Sequence, residues 1–241
     1  LYMLGDYLEA IKEYRSFLKI PGINDISMKQ SAYYNIAYAY FEMKDWIQAI
    51  QSFRTYTQQA SLADQRKVAD AYARIGDCYY TKDKPDFEKS AINYKEALSY
   101  KEDNQDRVLY SLAKVYGFLP NRRTDKINTL LEIINNHSTS SYVIPSIFDV
   151  AISYKNEGNY PKALDYFNQI VNDYPNNILV KDALIEIADI KYKQKKYEAS
   201  ESFFRRVLNE FSLDDATCKR ATQGLIDIFK ATQRKSEISS L

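Results

Sequence analysis

The chain has few of the residues that tight turns and reactive sites require. Its 241 residues include six glycines, six prolines, two cysteines and one histidine, His137, which lies in a polar segment. So few glycines and prolines argue against an all-β fold with many turns. A single histidine gives a serine or cysteine nucleophile little support, and Cys78 and Cys218 provide neither a disulfide framework nor a metal site. We therefore predict no enzyme activity and no cofactor or metal.

The chain also lacks a charge excess and a long apolar run. Lys and Arg total 33 and Asp and Glu total 32, for a net charge of +1. A nucleic-acid-binding protein usually carries a basic excess or stripe. No apolar run approaches the roughly 20 residues that span a bilayer, and the scattered glycines form no phosphate-binding loop. We predict no nucleic-acid partner and no transmembrane segment.

The chain is rich in tyrosine, with 22 copies, and its small and aromatic residues form a repeated pattern. Residues 146–177 show it best, as an amphipathic helix, a turn at Gly158-Asn159, a second amphipathic helix and a stop at Pro175. Ala151 is the small marker residue of the first helix. Equivalent markers follow a spacing of 37–39 residues at Ala37, Gly76, Ala113 and Ala188. A repeat at this period predicts stacked helix pairs, because one pair cannot bury its apolar face alone.

The second helix of each repeat carries its own pattern, an aromatic residue followed at i+3, i+7 and i+10 by residues on one helical face. Examples of the set are Tyr160, Ala163, Phe167, Ile170; Trp46, Ala49, Phe53, Tyr56; Phe87, Ser90, Tyr94, Ala97; Tyr197, Ser200, Phe204, Val207; and Tyr7, Ala10, Tyr14, Phe17. In the third repeat we assign the large positions to Ile127, Leu131 and Ile134. That assignment places a two-residue turn insertion at Arg122-Arg123 in the third repeat, and the second repeat has one at Lys84-Pro85.

The pattern resembles the tetratricopeptide repeat (TPR) family. The residues that match its consensus in order are Ile147, Val150, Ala151, Tyr154, Gly158, Tyr160, Ala163, Phe167 and Pro175. The resemblance implies an all-α fold, a right-handed α-solenoid of about 12 helices. These form a half repeat at 1–20, five full repeats and one helix near 214–232. We expect a single domain over 1–241, a fragment of a longer repeat protein with a further helix before Leu1.

The repeat length of 37–39 residues exceeds the family norm of about 34. In this the chain resembles bacterial envelope TPR proteins, such as the outer-membrane assembly lipoprotein and the Tol-Pal-associated protein. That resemblance favours a periplasmic or outer-membrane-associated location, with the cytoplasm as the alternative.

The family resemblance also implies a binding groove. In TPR proteins the concave face is lined by first-helix positions three before, one after and four after the marker. Here those positions give Tyr34, Tyr38, Phe41, Asp77, Tyr80, Tyr110, Lys114, Phe148, Ile152, Lys155, Asp189 and Tyr192, together with Ala73, Gly117 and Ile185. An alternative interpretation is that the aromatic residues only pack against the next repeat.

The sequence thus predicts a scaffold that binds a peptide segment or a partner helix in a Tyr-rich groove, since tyrosine offers contact area and a polar tip. Two alternatives stay open. One is an architectural protein that self-associates through its open repeat ends. The other is a glycan-binding envelope component, although Trp46 is the only tryptophan.

Overall fold

The computed structural model describes residues 6–22, 25–59, 64–102 and 105–240. Within these ranges it contains twelve α-helices, a final 3-10 helix and no strand, which confirms the predicted all-α helical repeat fold. The helices are α1 Tyr7–Leu18, α2 Ile26–Glu42, α3 Trp46–Gln59, α4 Gln65–Thr81, α5 Phe87–Ser99, α6 Asp106–Tyr116, α7 Arg123–Asn136, α8 Val143–Asn156, α9 Tyr160–Asp173, α10 Val180–Lys193, α11 Tyr197–Glu210 and α12 Asp215–Ala231. None of these described helices is long and apolar enough to cross a membrane.

Short polar side chains set the starts of several helices. The Asp25 carboxylate accepts the Met28 N–H at 3.0 Å, and Asp214 accepts the Thr217 N–H at 2.9 Å. Such N-cap bonds satisfy a backbone donor that the first helical turn leaves unpaired. The expectation of a helix before Leu1 rests on residues 1–5, which lie outside the described residues.

The turn between the helices of a repeat has a recurring geometry. Two residues before the second helix, the backbone is left-handed at Lys44, Asn121, Gly158 and Lys195, with φ of 60°, 60°, 76° and 59°. This conformation is unstrained only for glycine. Gly158 therefore fits the predicted turn, whereas the other three positions adopt the same turn with a side chain.

By compactness the chain divides into two units, Leu1–Thr129 and Leu130–Leu241. In the first unit, the marker Gly76 of α4 lies against the ring of Tyr94 in α5. A Cβ built on Gly76 would lie 2.7 Å from that ring. Ser90 Oγ also donates a 2.8 Å hydrogen bond to the Gly76 carbonyl. Small residues at both positions thus let α4 and α5 approach closely.

The second unit uses the same small-residue positions. The markers Ala151 and Ala188 are fully buried, and Ser200 Oγ donates a 2.8 Å hydrogen bond to the Ala188 carbonyl. Gly224 of α12 faces Phe204 of α11, since a Cβ there would lie 2.3 Å from the ring. The repeat markers found in the sequence therefore lie at the helix contacts of both units.

In the third repeat the predicted register of the second helix is wrong by one residue. Ile127 is buried as expected, but the other buried large residues are Leu130 and Ile133, while Leu131 and Ile134 are partly exposed. Helix α7 begins at Arg123, so the aromatic position holds Arg123 and the small position holds Lys126. The turn thus gains one residue rather than two. Because neither position carries its usual residue type, the sequence pattern did not reveal the correct register of α7.

Candidate functional site

Most of the predicted groove positions are only partly exposed to solvent. Each side chain is half-buried except Lys114, which is exposed, whereas the markers Ala37, Ala113, Ala151 and Ala188 are fully buried. We call these positions the first-helix face; its members are Tyr34, Tyr38, Phe41, Asp77, Tyr80, Tyr110 and Lys114 in the first unit, and Phe148, Ile152, Lys155, Asp189 and Tyr192 in the second. Ala73 and Ile185, at equivalent positions, are only 1% exposed and lie in the core.

In the first unit, Tyr34 and Tyr38 of α2 both donate hydrogen bonds to Oδ2 of Asp70 in α4, Tyr34 at 2.6 Å. Burial, with the nearby Asp70 charge, raises the pKa of Tyr38 to about 12 and raises that of Tyr34 as well. Both phenols therefore stay neutral donors over the ordinary pH range. Their polar tips join two successive first helices and are not open donors for a ligand.

The bonds continue along α4 and into α6. Arg74 lies 3.4 Å from Asp70 and 3.1 Å from Asp77, and its Nε donates to the Tyr38 hydroxyl at 2.9 Å. Arg107 of α6 approaches Asp77 at 3.1 Å. Asp77 also accepts a 2.7 Å hydrogen bond from Tyr94, described above. Asp77 is thus held between two guanidinium groups and a phenol, and is already neutralised within the chain.

The aromatic residues four after the marker pack against the first residue of their own second helix. Phe41 contacts Trp46 edge to face, with ring centroids 5.5 Å apart, and Tyr80 contacts Phe87 at 6.0 Å. Arg74 lies over the Phe41 ring at 5.5 Å. These rings are half-buried and are fixed on one side by their own repeat.

The second unit has an ionic network of its own. Lys155 of α8 is paired with Glu186 of α10 and lies 3.9 Å from Asp189, while Arg220 of α12 approaches Glu186 at 3.2 Å. Burial raises the pKa of Asp189, although the Lys155 charge opposes that shift. Lys155 is therefore already engaged with two carboxylates.

The aromatic members of the second unit are also supported from within. Phe148 meets Phe167 edge to face at 5.5 Å, and Tyr192 meets Tyr197 at 5.6 Å. Ile152, which follows Phe148 by four residues in α8, is also half-buried. This face thus combines fixed aromatic edges with one aliphatic side chain.

Sequence reasoning missed the ionic partners of these positions. Asp70 and Arg107 stand six residues before their markers, and Arg74 and Glu186 stand two before. Charged residues at these offsets in consecutive repeats were a usable signal, because opposite charges on adjacent helices tend to pair. The networks tie neighbouring first helices together within each unit.

The first-helix face contains no histidine and no cysteine among its named members. Among the described residues no group of three or more His, Cys, Asp and Glu side chains could hold a metal ion. His137 lies half-buried just after α7 and has no place on the first-helix face. The face offers half-buried aromatic side chains on a framework that its own hydrogen bonds hold fixed.

Comparison with known proteins supports the repeat assignment. Residues 31–61 and 146–177 match the model of the tetratricopeptide repeat family. A Xenopus laevis protein, tetratricopeptide repeat protein 21B, is 25% identical over 134 residues, 56% of this chain and 10% of the relative. The chain thus spans about a tenth of that relative's length.

Solved structures show the same fold. A tetratricopeptide repeat protein from Parabacteroides merdae superposes with a TM-score of 0.66 at 15% identity, covering 88% of this chain and 76% of that one. YrrB, described as a TPR protein with an unusual peptide-binding site, superposes with a TM-score of 0.62 at 17% identity, covering 90% and 98%. TPR proteins generally mediate protein–protein interactions and are typically non-catalytic scaffolds.

Proposed function

We propose that this chain is a protein-interaction scaffold, which binds a peptide segment or a partner helix along its first-helix face. The observation that carries the proposal is the exposure of that face. Its residues are partly open to solvent while the adjacent markers are fully buried. Tyrosine and phenylalanine edges supply contact area with little conformational entropy to lose.

The internal bonds of the face support the same role. Because Asp70 fixes both Tyr34 and Tyr38, and Lys155 is held by Glu186, these side chains do not have to be ordered when a partner arrives. Preorganisation of this kind increases affinity by lowering the entropy lost on binding. Because Lys155 is already engaged with Glu186 and Asp189, it is not available to clamp a carboxylate of a partner.

Site-specific photo-crosslinking tests the proposal. A photoreactive phenylalanine analogue would replace Tyr110, Ile152 or Tyr192, one at a time, in cells that make the native partner. Matched controls would carry it at Ile47 and Ile92, which are exposed on the second helices α3 and α5. We expect protein adducts from the first-helix positions only. Equal adducts from the controls, or adducts from the controls alone, would refute the assignment of the face.

The cellular setting is a further part of the proposal. The repeat length of 37–39 residues favours a bacterial cell-envelope scaffold, and fractionation of cells that express the native gene would test this. A glycan-binding role gains no support from Trp46, because its ring is half-buried against Phe41 rather than open as a sugar platform.

Self-association is the second candidate function. Leu8 of α1 and Ile26 and Met28 of α2 are large apolar side chains that are mainly exposed. Exposed apolar groups near one another favour association with another surface. Sedimentation velocity over a range of concentrations would test it, and a monomer at every concentration would exclude it for this chain.

A further inference from the structure

Three aromatic rings form a cluster where α4, α5 and α6 meet. Phe87 and Phe118 are parallel, with centroids 4.5 Å apart and an interplanar angle of 8°. Tyr80 lies 6.1 Å from Phe118 and 6.0 Å from Phe87. We call Tyr80, Phe87 and Phe118 the aromatic platform. Tyr80 and Phe87 pack on a buried cluster that includes Tyr94 and Leu112, so the platform has a fixed base.

The outer ring of the platform is open to water. Phe118 is 57% exposed, although it directly follows α6 and its N–H donates to the Val115 carbonyl at 3.0 Å. A single exposed apolar residue is common and needs no explanation. A ring that is stacked on a packed partner and held at a helix end is different, because it offers a rigid apolar surface for another ring.

Uncompensated positive charge lies beside Phe118. Lys114 lies in the last turn of α6, four residues before Phe118. Lys126 crosses the helix end, since a Cβ built on Gly117 would lie 3.8 Å from Lys126 Cδ and 3.9 Å from Nζ. Neither lysine has a carboxylate partner among the described residues. Two cations therefore lie at the same end of α6 as the exposed ring.

Two of the acidic groups nearby are already engaged. Asp125 pairs with Arg122 at 2.9 Å, and Asp86 pairs with Lys89 at 2.9 Å. The pKa of Arg122 is raised by its hydrogen bond to Asp125 and, to a smaller extent, by Glu88. Between residues 114 and 126 the sequence has four basic residues and a single acid. The surface around Phe118 is thus basic and aromatic together.

We infer that the aromatic platform, with Lys114 and Lys126, is a docking point for an acidic segment of a partner protein that carries an aromatic anchor. The anchor ring stacks on Phe118 while flanking carboxylates meet the two lysines. This inference rests on the proposed scaffold role and specifies the chemistry of the partner. Charge complementarity selects an acidic segment, because a basic one would be repelled by both lysines.

The test uses the full chain and a fluorescein-labelled peptide, Gly-Asp-Glu-Asp-Trp-Glu-Asp-Glu-Gly, followed by fluorescence anisotropy. We expect saturable binding that weakens with salt, and about a fivefold loss of affinity in Phe118→Ala, as a stacked ring contributes on the order of 1 kcal/mol. Lys114→Gln should lower the affinity several-fold and reduce the salt dependence. Ile92→Ala and Lys230→Gln, which change an exposed aliphatic and an exposed lysine elsewhere, should bind like the unchanged chain.

Two further peptides separate the contributions, one with Ala for Trp and one with Lys for each acid. Weaker binding of both supports the docking point. Failure of the acidic peptide to bind, or equal binding to Phe118→Ala, overturns it. If crosslinks from Tyr110, Ile152 and Tyr192 persist in that case, the scaffold role stands and only the docking point fails.

Discussion

The hydroxyl of Tyr34 in α2 lies 2.6 Å from Oδ2 of Asp70 in α4, so a hydrogen bond joins the first helices of two successive repeats. Tyr38 donates to the same carboxylate oxygen. A single acid thus holds two phenols on the first-helix face, and the stability of the first unit depends on both phenols keeping their protons.

Alkaline pH is expected to destabilise the chain through this site. The ordinary pKa of tyrosine is about 10, and in the folded chain that of Tyr38 is about 12. Because the folded pKa is raised, the contribution is complete below about pH 10 and is lost as the pH rises toward 12. Urea unfolding at pH 8 and pH 11 should show this fall.

The double variant Tyr34→Phe/Tyr38→Phe is expected to flatten that pH dependence. Tyr33→Phe is the matched control, since Tyr33 is also half-buried against the same cluster but makes no side-chain hydrogen bond among the described residues. A slope unchanged in the double variant would contradict the assignment.

Replacing the left-handed lysine Lys195 by glycine is expected to stabilise the chain. Its φ of 59° strains any residue with a Cβ, and relief of that strain should outweigh the added freedom of the unfolded chain by about 0.5–1 kcal/mol. Thermal unfolding would measure the gain. Lys193→Gly is the control, because Lys193 is an exposed residue of α10 with a helical backbone. A gain in the control that equals that of Lys195→Gly would refute this explanation.

Two buried serines of the second unit are expected to respond in opposite directions to alanine. Ser146 is fully buried, and its hydroxyl has no partner among the described residues. Ser146→Ala should therefore raise the free energy of unfolding by about 1 kcal/mol. Ser200 donates to the Ala188 carbonyl at 2.8 Å, so Ser200→Ala should lower it by about 0.5–1.5 kcal/mol. Changes of the same sign in urea unfolding would show that these hydrogen bonds do not decide the outcome.

The two thiols are expected to differ in reactivity. Burial raises the pKa of Cys78 to about 12, and the thiolate is the reactive form. Cys218 is only half-buried and its Sγ lies 3.3 Å from the Phe211 carbonyl. At pH 8 a disulfide reagent should modify one thiol rapidly in the folded chain and both in denaturant. If the rapid phase disappears in Cys218→Ser, the reactive thiol is Cys218. If the rapid phase remains in that variant, the prediction is wrong.

Much of the fold was predictable because packing constrains small and aromatic residues alike. Ala37, Ala113, Ala151 and Ala188 were found by spacing, and each is fully buried. The third repeat resisted the same method. Arg123 stands at the aromatic position and Lys126 at the small one, so neither residue marks the helical face that packs. The predicted register of α7 is therefore wrong by one residue.

The bonding of the candidate site was not predictable from the sequence. The first-helix positions come from the family resemblance, and most of them are half-buried, whereas Ala73 and Ile185 lie in the core. The partners of Tyr38, Asp77 and Lys155 depend on how far long side chains reach between adjacent helices, which a repeat pattern does not contain. Whether these positions bind a partner stays a prediction.

The two close glycine contacts have an evolutionary consequence. Tyr94 leaves no room for a Cβ on Gly76, its partner within one repeat, and Phe204 leaves none on Gly224, its partner in the helix that follows the repeat. Repeat proteins diversify by duplication and recombination of their units. Here a crossover between α4 and α5, or between α11 and α12, would set an alanine-bearing helix against a ring that has no space for it. A recombination that keeps the protein folded must therefore transfer each glycine together with the ring that packs on it. At these two places the unit of inheritance is a pair of matched helices rather than a single helix.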